Sequence, residues 1–463
     1  MDDESKPLLK SLPADDSILP EDSIRYETPT KNILLPLGMF LFALGLQLGS
    51  TSFQQYVYNS TSSADGHPNI SSLFSNGNTT DELSCGKNET SSQNQNEKES
   101  ANLILYLETI EFSIGLPVIL IAGIYSDFYG RKAFLLLSTF GASLYLLVIA
   151  LVVFFNFPTF YIYVAYGIYG ITGTHYTFYL AATTLIADTT KAGKNRSFHI
   201  TMIYAYIGTG LTLASVGSGF FIQYTGFAVP LAASSGSCFL ATVLLSFQRE
   251  TLTEKIRAEK PPFFQTFLRS LGFFVGKGYA FGAKQWKFML VLIAFNFNLS
   301  PLTTVTALTT LFQLGEPFCF SAEMIGYFQA SADFAHLVIG TIFLKILYFC
   351  INDEHVTIIG LVSGVAYFTI MGFSSSVWMV YMGAGCGLLA IIPLSVYRGI
   401  MSGMVSPKYQ GALFSLVYLC EALCRLSGNA IFMSIYGHTQ SFMKGFVFVV
   451  MAGFYAISCL LFM

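Results

Sequence analysis

Long apolar stretches alternate with shorter polar segments along most of the chain. Each stretch has about the 20 residues that an α-helix needs to cross the hydrocarbon core of a bilayer. The stretches form two sets of six, so the pattern predicts twelve transmembrane helices, which we call spans 1 to 12. The first six are expected near 33–57, 101–125, 133–154, 158–187, 198–223 and 227–247, and the second six near 288–313, 323–349, 355–374, 377–402, 411–436 and 442–462.

The polar segments divide the chain into four parts. We expect a cytosolic tail at 1–32, a six-helix bundle at 33–247 with a polar loop at 58–100, a cytosolic linker at 248–287 and a second six-helix bundle at 288–463. Span 4 is longer than the bilayer requires, and we expect it to tilt. The pattern therefore predicts an all-α integral membrane protein.

The composition agrees with this fold class. Of the 463 residues, 53% are hydrophobic and only 11% are charged, and the mean hydropathy is +0.57. A soluble domain carries about 25% charged residues, so this chain lacks the residues for a surface that faces water on all sides. The net charge of −3 gives no reason to expect a nucleic-acid partner.

Basic residues predict the orientation in the membrane. In the twelve-span arrangement, 20 of the 24 Lys and Arg residues fall on the face that carries both termini. Loops rich in Lys and Arg remain in the cytosol, so we expect both termini there. The loop at 58–100 then lies on the opposite side. It carries four N-x-[ST] sequons, which predict glycosylation at Asn59, Asn69, Asn78 and Asn88.

Two cysteines fall in loops on the non-cytosolic side, Cys85 and Cys319. That compartment is oxidising, so we expect a disulfide that joins the two halves of the chain. The cytosolic linker contains FFQTFLRSLGFF (263–274), whose apolar positions recur at helical spacing, and we expect a helix lying on the inner leaflet.

The N-terminal tail contains ESKPLL, from Glu4 to Leu8 and Leu9. It fits an acidic dileucine sorting signal, which would be bound by sorting adaptors and would direct the protein to endosomes or lysosomes. The pattern is short, and a chance match is the alternative. Lysosomal or endosomal membrane and plasma membrane both stay open.

The segment between spans 2 and 3 reads GIYSDFYGRK (123–132). It satisfies G-x-x-x-D-x-x-G-R-[KR] with Gly123, Asp127, Gly130, Arg131 and Lys132. The glycines allow close helix approach and a tight turn. Asp127 can accept hydrogen bonds from a helix N-terminus in the other bundle, and Arg131 can form a forked pair with a carboxylate or with C-terminal carbonyls. The alternative is that the basic residues only follow the charge rule and that Asp127 neutralises them.

This motif resembles the signature of the major facilitator superfamily. The resemblance implies two six-helix bundles around a central cavity. It also implies that the motif is a cytosolic gate, holding that side shut while the cavity faces out.

Other stretches resemble one branch of that superfamily, the proton-coupled folate transporter family (solute carrier family 46). They are QQYVYN (54–59), EPFCF…IGY (316–327), YQGALFS (409–415) and FMKGF (442–446). The resemblance implies that Arg398 is the family's arginine of span 10, near the substrate and proton path. It also implies that Cys85 and Cys319 form the family's disulfide between the halves.

The chain departs from that family's pattern at three positions. Tyr204 stands where members usually have an acidic residue in span 5, Thr174 where the folate member has an Asp in span 4, and Leu302 where it has a His in span 7. The resemblance therefore supports the fold and the membership rather than folate as the substrate. The chain most resembles the relatives associated with lysosomes and with export of amphiphilic conjugates or peptidoglycan fragments to the cytosol.

Ionisable residues inside the spans are the candidate coupling groups, because charge in hydrocarbon is costly and is retained for function. Glu108 and Glu111 lie three apart in span 2, on one helix face, where a carboxylate pair suits proton uptake at about pH 5 to 7. Hydration near the outer interface is the alternative.

In span 8, Asp333 and His336 are also three apart, after Gln329. They predict either a proton relay or a hydrogen-bonded pair that fixes helix packing.

Spans 10 and 11 contribute the cationic candidates. Glu421 and Arg425 are four apart in span 11 and are expected to form an intrahelical ion pair, which would be either structural or involved in coupling. Arg398 is the expected anion-binding residue, with a gate residue or a snorkelling side chain as the alternative.

In span 4, His175 with Tyr176 and Tyr179 forms a polar aromatic patch that could stack on a planar substrate. The alternative is ordinary packing, because tyrosines are common in membrane helices.

These features predict a secondary transporter that couples proton movement to entry of a small organic anion or amphiphilic metabolite into the cytosol. The proton is then the coupling ion, with no other cofactor and no metal. Nothing in the sequence predicts an enzyme: no P-loop is present, so we do not expect ATP to power transport, and no cluster has metal-ligand spacing. An uncoupled facilitator and a membrane sensor or scaffold are the alternatives. A proton-antiport drug exporter is a weaker one, because the Gly-Pro element typical of span 5 in such exporters is absent.

Overall fold

The computed structural model describes residues 33–62, 91–191, 193–251, 285–315, 317–318, 320, 322–405, 410–439 and 442–463. Several predictions lie outside these residues. They are the sorting signal at Glu4, Leu8 and Leu9, the Cys85–Cys319 disulfide, the sequons at Asn69, Asn78 and Asn88, the side chain of Asn59 and the linker helix at 263–274.

The described part of the first half is helical. It contains α1 (Leu34–Ser62), α2 (Ser91–Tyr129), α3 (Arg131–Phe155), α4 (Phe160–Ile171), α5 (Thr174–Thr189), α6 (Lys194–Thr225) and α7 (Ala228–Ser246). The described part of the second half contains α8 (Gln285–Leu314), α9 (Ala322–Asp333), a π-helix (Phe334–Ile339), α10 (Gly340–Cys350), α11 (Asp353–Gly372), α12 (Val377–Cys386), α13 (Ile392–Gly403), α14 (Gln410–Thr439) and α15 (Phe446–Phe462).

Within these ranges, nine helical segments are long and apolar enough to cross a membrane. Such helices satisfy their backbone hydrogen bonds internally, as hydrocarbon requires. The helices of predicted spans 4, 10 and 12 are shorter, so the count of twelve stays a prediction. The polar loop predicted at 58–100 is narrower than expected, because α1 continues to Ser62 and α2 begins at Ser91. Polar residues do not stop a helix that is already nucleated.

Span 4 is two helices rather than the single tilted helix expected from its length. Thr172 and Gly173 separate α4 from α5. Gly173 has φ 82° and Thr174 has φ 58°, so two successive residues are left-handed. Glycine adopts this region freely, whereas a β-branched threonine does so at a cost.

Spans 8 and 10 are irregular as well. Span 8 passes through the π-helix between α9 and α10, and span 10 is interrupted at 387–391 between α12 and α13. Pro393 lies in the first turn of α13, where its missing N–H leaves no intrahelical partner unsatisfied. All three irregular segments lie in helices that border the space between the two halves.

Each half has its own hydrophobic core. In the first, the rings of Phe42 and Phe178 lie 4.1 Å apart, and in the second, the rings of Phe368 and Tyr455 lie 5.2 Å apart. Helix α14 belongs to both, because Phe414 and Tyr418 pack into the first core while neighbouring residues of α14 pack into the second. The helix therefore connects the two bundles.

Small residues let α11 and α15 approach closely in the second bundle. A Cβ at Gly364 would overlap the ring of Tyr455, whereas a Cβ at Gly453 would meet open space. We expect Gly364→Ala to lower the stability by about 1–3 kcal/mol through overpacking. The matched control Gly453→Ala should be neutral or stabilising by up to about 1 kcal/mol, from helix propensity alone. Thermal unfolding of the purified protein in detergent measures both, and equal melting temperatures would contradict the packing argument.

Candidate functional site

The candidate site lies between the bundles along α14. The first third of this helix, from Gln410 to Tyr418, is buried throughout. Farther along, the side chains of Glu421 and Arg425 are 18% and 39% exposed. The bundles are therefore in tight contact at the end that contains the turn between α2 and α3, and they open away from it. We call the tight end the latch end.

Asp127 joins the two bundles at the latch end. Its carboxylate accepts hydrogen bonds from the backbone N–H groups of Gly411 and Ala412, at 2.9 and 3.0 Å. These groups belong to the N-terminal turn of α14, where unpaired N–H groups favour an anion. Gly123 allows the approach, because a Cβ there would overlap Ser415. The contact has the form that the motif predicts for Asp127.

Arg131 is fully buried and links three elements. Its Nη1 lies 2.5 Å from the Asp127 carboxylate, and its Nε donates to Asp188 at 3.0 Å. The forked pair therefore involves carboxylates of α2 and α5. The backbone N–H groups of Arg131 and Lys132 donate to Glu250, at 3.0 and 3.1 Å, so this carboxylate neutralises the start of α3.

Gly130, the residue before α3, has φ 108°. This backbone conformation favours glycine, and a Cβ there would also collide with the Glu250 side chain. Asp188 and Glu250 are contacts that the sequence did not predict. The available signal was that both acids fall at span ends on the predicted face of Arg131.

A second set of contacts closes the latch end between α6 and α13. Arg196 donates to the Ser402 hydroxyl at 3.0 Å and to the Thr190 carbonyl at 2.7 Å. The amide of Gln410 donates to the carbonyls of Ser402 and Val405, both at 2.9 Å. Carbonyls at the end of α13 are thus paired by side chains of neighbouring elements, which fixes α13 against α6 and α14.

Arg398 is at the centre of the interface and is completely buried. Its Nη2 lies 2.5 Å from the Glu421 carboxylate, and its Nη1 donates to the Tyr204 hydroxyl. The rings of Tyr204, Phe295 and Tyr418 surround the guanidinium, with centroids 5.4, 5.3 and 5.1 Å from its carbon. These rings come from α6, α8 and α14 and provide cation–π contacts. Arg398 is therefore not open to an external anion while Glu421 occupies it.

The intrahelical ion pair predicted between Glu421 and Arg425 is wrong. Glu421 pairs with Arg398 on α13, and Arg425 lies 4.0 Å from Glu108 on α2. An i,i+4 pair contributes only about 0.2–0.5 kcal/mol. A buried arginine left without an anion costs several kcal/mol, so Arg398 determines the partner of Glu421.

Arg425 and Glu108 form a second, more exposed ion pair across the bundles. Their side chains are 39% and 32% exposed. The ring of Phe112 lies 6.0 Å from the Arg425 guanidinium, and the Tyr176 hydroxyl lies beside it. Glu111, one turn along α2 from Glu108, is buried. Arg425 is thus a cation of the site that solvent and solutes can reach.

The aromatic patch of α5 completes the site. The rings of His175 and Tyr176 lie 4.2 Å apart, and the ring of Tyr179 is 6.4 Å from that of Tyr418. Thr183 shares a hydrogen bond of 2.6 Å with the Tyr418 hydroxyl. The structure therefore brings the patch against α14, between the two ion pairs.

Asp333 and His336 are not part of this cluster, and they do not form the direct pair that their spacing predicts. Asp333 accepts a hydrogen bond from Gln329 at 3.0 Å, whereas His336 contacts the Ala384 carbonyl at 2.9 Å. The π-helix widens the turn that follows Asp333, so an i,i+3 pair no longer shares one face. Among the described residues, no three His, Cys, Asp or Glu side chains form a group that could hold a metal ion.

Comparisons with known proteins agree with this architecture. The sequence profile of the Major Facilitator Superfamily matches residues 94–429. The lysosomal proton-coupled steroid conjugate and bile acid symporter SLC46A3 of Pongo abelii is 26% identical over 435 residues, 91% of each chain. The proton-coupled folate transporter of Rattus norvegicus is 27% identical over 363 residues, 77% of each chain.

Solved structures share the fold. The human organic anion transporter MFSD10 (TETRAN) superimposes with a TM-score of 0.73 at 16% identity, over 93% of this chain and 98% of that one. The transporter FucP in its outward conformation superimposes with a TM-score of 0.66 at 12% identity, over 94% of this chain and 98% of that one. At these identities the likeness shows the fold alone. Because the family profile covers most of the sequence and the fold agrees, the chain belongs to the Major Facilitator Superfamily.

Proposed function

We propose that this protein is a proton-coupled symporter that carries an organic anion, or an amphiphilic metabolite with an anionic group, into the cytosol by alternating access. The observation that carries the proposal is a cluster of five ionisable side chains between the bundles. Two are cations and three are acids: Arg398, Arg425, Glu108, Glu111 and Glu421. The similar proteins named for proton-coupled transport of folate, steroid conjugates and bile acids support the same class of substrate.

An entering anion first meets Arg425. This guanidinium is partly exposed, and its carboxylate partner on α2 is 4.0 Å away, at the limit of an ion pair. The aromatic side chains of His175, Tyr176 and Tyr179 line the neighbouring wall. The combination suits a substrate with a flat apolar body and a carboxylate, sulfate or phosphate group.

Proton coupling follows from the charge of the cluster. With all five groups ionised it carries a net charge of −1, and a bound monoanion makes it −2. Such an accumulation is costly where the effective dielectric is low. A proton taken up with the anion restores the balance, so binding of each favours binding of the other.

Glu421 is the residue whose protonation we expect to matter most. Neutral Glu421 no longer compensates Arg398, and a buried guanidinium then requires another anion. The substrate can supply it. Glu421 therefore competes with the substrate for Arg398. It releases the guanidinium when a proton and an anion bind together.

The closed latch end supports our proposal for the direction of transport. Its closure leaves the cluster open on the other side, which the distribution of basic residues assigns to the lumen or the exterior. Loss of the Asp127 contacts with α14 would open the cytosolic side. Acidity on the opposite side drives the cycle, whether that side is the extracellular medium or the lysosomal lumen. Any adaptor bound to the N-terminal tail would choose between these membranes.

The coupling role of Glu421 is tested by uptake at the cell surface. Leu8 and Leu9 are changed to Ala to retain the protein there, and radiolabelled estrone 3-sulfate, a reduced folate and a muramyl dipeptide are compared at pH 5.5 and pH 7.5. We expect uptake of at least one of them to be stimulated by acid and Glu421→Gln to remove the stimulation. Arg398→Ala should reduce uptake by at least tenfold, because it leaves a buried acid without its cation.

Two other outcomes would redirect the proposal. Equal uptake at both pH values would indicate an uncoupled facilitator. Binding of a probe without uptake, at normal surface expression, would indicate a sensor.

We expect substitutions of Glu108 and Arg425 to change KM in opposite directions. Glu108 competes with the substrate for Arg425, so Glu108→Gln should lower KM by up to about fivefold, the value of an exposed ion pair. Arg425→Ala should raise KM, with Arg425→Lys intermediate. Uptake at a series of concentrations at pH 5.5 measures these values. A rise in KM in Glu108→Gln would show that Glu108 binds the substrate rather than competing with it.

The latch is tested by accessibility. Asp127→Asn weakens two charge-assisted hydrogen bonds, each contributing about 1.5–3 kcal/mol, so the latch end should open more often. A cysteine introduced at Ser415, which is buried beside Gly123, should then react faster with a maleimide applied from the cytosolic side. Lys132→Gln is the control, because only its backbone contacts Glu250. An unchanged labelling rate in Asp127→Asn would show that Asp127 does not hold the latch end closed.

A further inference from the structure

The second bundle contains an acidic side chain that the transport site does not use. Asp333 lies at the end of α9 and accepts a hydrogen bond from the Gln329 amide at 3.0 Å. Among the residues that the structure describes, no Lys or Arg pairs with it. Glu421 and Glu108 differ, because each contacts an arginine. A carboxylate inside a membrane span without a cation is costly to keep ionised.

Asp333 adjoins an irregular junction between two spans. Immediately after it the chain enters the π-helix, whose residue His336 contacts Ala384 just before the interruption of span 10. His336 donates its Nε2–H to the carbonyl of Ala384 at 2.9 Å; a carbonyl can only accept, so this nitrogen carries the proton. Gly340 makes the approach possible, because a Cβ there would lie 2.6 Å from the Leu388 carbonyl oxygen.

The interruption itself is held by side chains rather than by a continuous helix. The Ser363 hydroxyl donates to the Cys386 carbonyl at 2.6 Å and accepts the N–H of Leu389 at 3.3 Å. Backbone groups released at a break inside a membrane must find such partners. Two adjacent spans thus have altered hydrogen-bond registers at the same level, and few side-chain bonds fix them. Such a junction can exist in more than one arrangement.

The surroundings of Asp333 contain few titratable groups. Tyr367 on α11 is within electrostatic range and also packs edge-on against the His336 ring, at 5.7 Å. From α6, which packs against this segment, the close contact is Gly208 with Leu337. In the part of the chain that the structure describes, no charged side chain from the neighbouring helices compensates Asp333.

We propose that Asp333 is a second proton-binding residue of the transport cycle, separate from the Arg398–Glu421 pair, and that its charge state selects between arrangements of the junction between spans 8 and 10. Ionised Asp333 needs Gln329 and access to water. Neutral Asp333 can be enclosed when the bundles rearrange, without the cost of burying a charge. This inference rests on the proposed function for its place in the cycle, but proton binding by Asp333 can be measured without any substrate.

The first test is pH-difference infrared spectroscopy on the purified full chain in lipid. A protonated carboxyl band should appear on acidification, and Asp333→Asn should remove the equivalent of one carboxyl group from it. Glu421→Gln is the matched control and should leave that component in place. Gln329→Leu keeps the acid but removes its hydrogen-bond donor, so the midpoint of the band should shift. An unchanged band in Asp333→Asn, or an unshifted one in Gln329→Leu, overturns the proposal.

The second test places the residue in the cycle. In proteoliposomes, uptake of estrone 3-sulfate driven by a proton gradient is compared with exchange of the same probe at equal pH on both sides. In Asp333→Asn, the driven uptake should fall at least tenfold while exchange stays within twofold of wild type. Asp333→Glu should recover the driven uptake. Equal gradient stimulation in Asp333→Asn and wild type would overturn the role. If wild type moves none of the probes while the infrared component is present, the proposed function fails and the proton site stands.

Discussion

The guanidinium of Arg398 has no exposed surface, and the candidate site is arranged around the need to compensate its charge. Glu421 supplies the anion, and three aromatic rings from α6, α8 and α14 supply the remaining contacts. Removing either partner of a buried pair costs about 3–5 kcal/mol. Arg398 therefore requires an anion beside it, and under the proposed function an external anion could enter only by replacing the one already there.

Helix α14 connects Glu421, the partner of Arg398, to the latch end. Its N-terminal N–H groups bind Asp127 of the other bundle, and Glu421 lies ten residues farther along, about 15 Å at the rise of an α-helix. A shift of α14 that loosens the Asp127 contact also moves Glu421 relative to α13. Because Phe414 and Tyr418 of α14 pack into the core of the first bundle, opening the latch end would require them to leave it. The latch contact and the Arg398–Glu421 pair therefore both depend on the position of one helix, as the proposed alternating access would require.

Sequence reasoning succeeded where residue type alone determines the contact. An aspartate at a span end beside a Gly-Arg turn has few favourable partners other than a helix N-terminus, and Asp127 contacts one. It failed where tertiary packing chooses among several partners, as for Glu421. The break in span 4 was also missed, because Thr172, Gly173 and Thr174 are compatible with a continuous helix. The left-handed backbone there depends on α2, where Gly115 and Glu111 face Thr174 and Gly170.

The irregular backbone occurs in matching places in the two bundles. The break of span 4 packs on α2 near Gly115, and the interruption of span 10 packs on the start of α10, where Leu388 meets Gly340. The two junctions differ in their chemistry, since the first is stabilised by left-handed residues and the second by hydrogen bonds from His336 and Ser363. Left-handed non-glycine residues persist only where the surrounding structure holds them in place. If Asp333 binds a proton as proposed, the junction in the second bundle is the one whose side-chain hydrogen bonds would change with it.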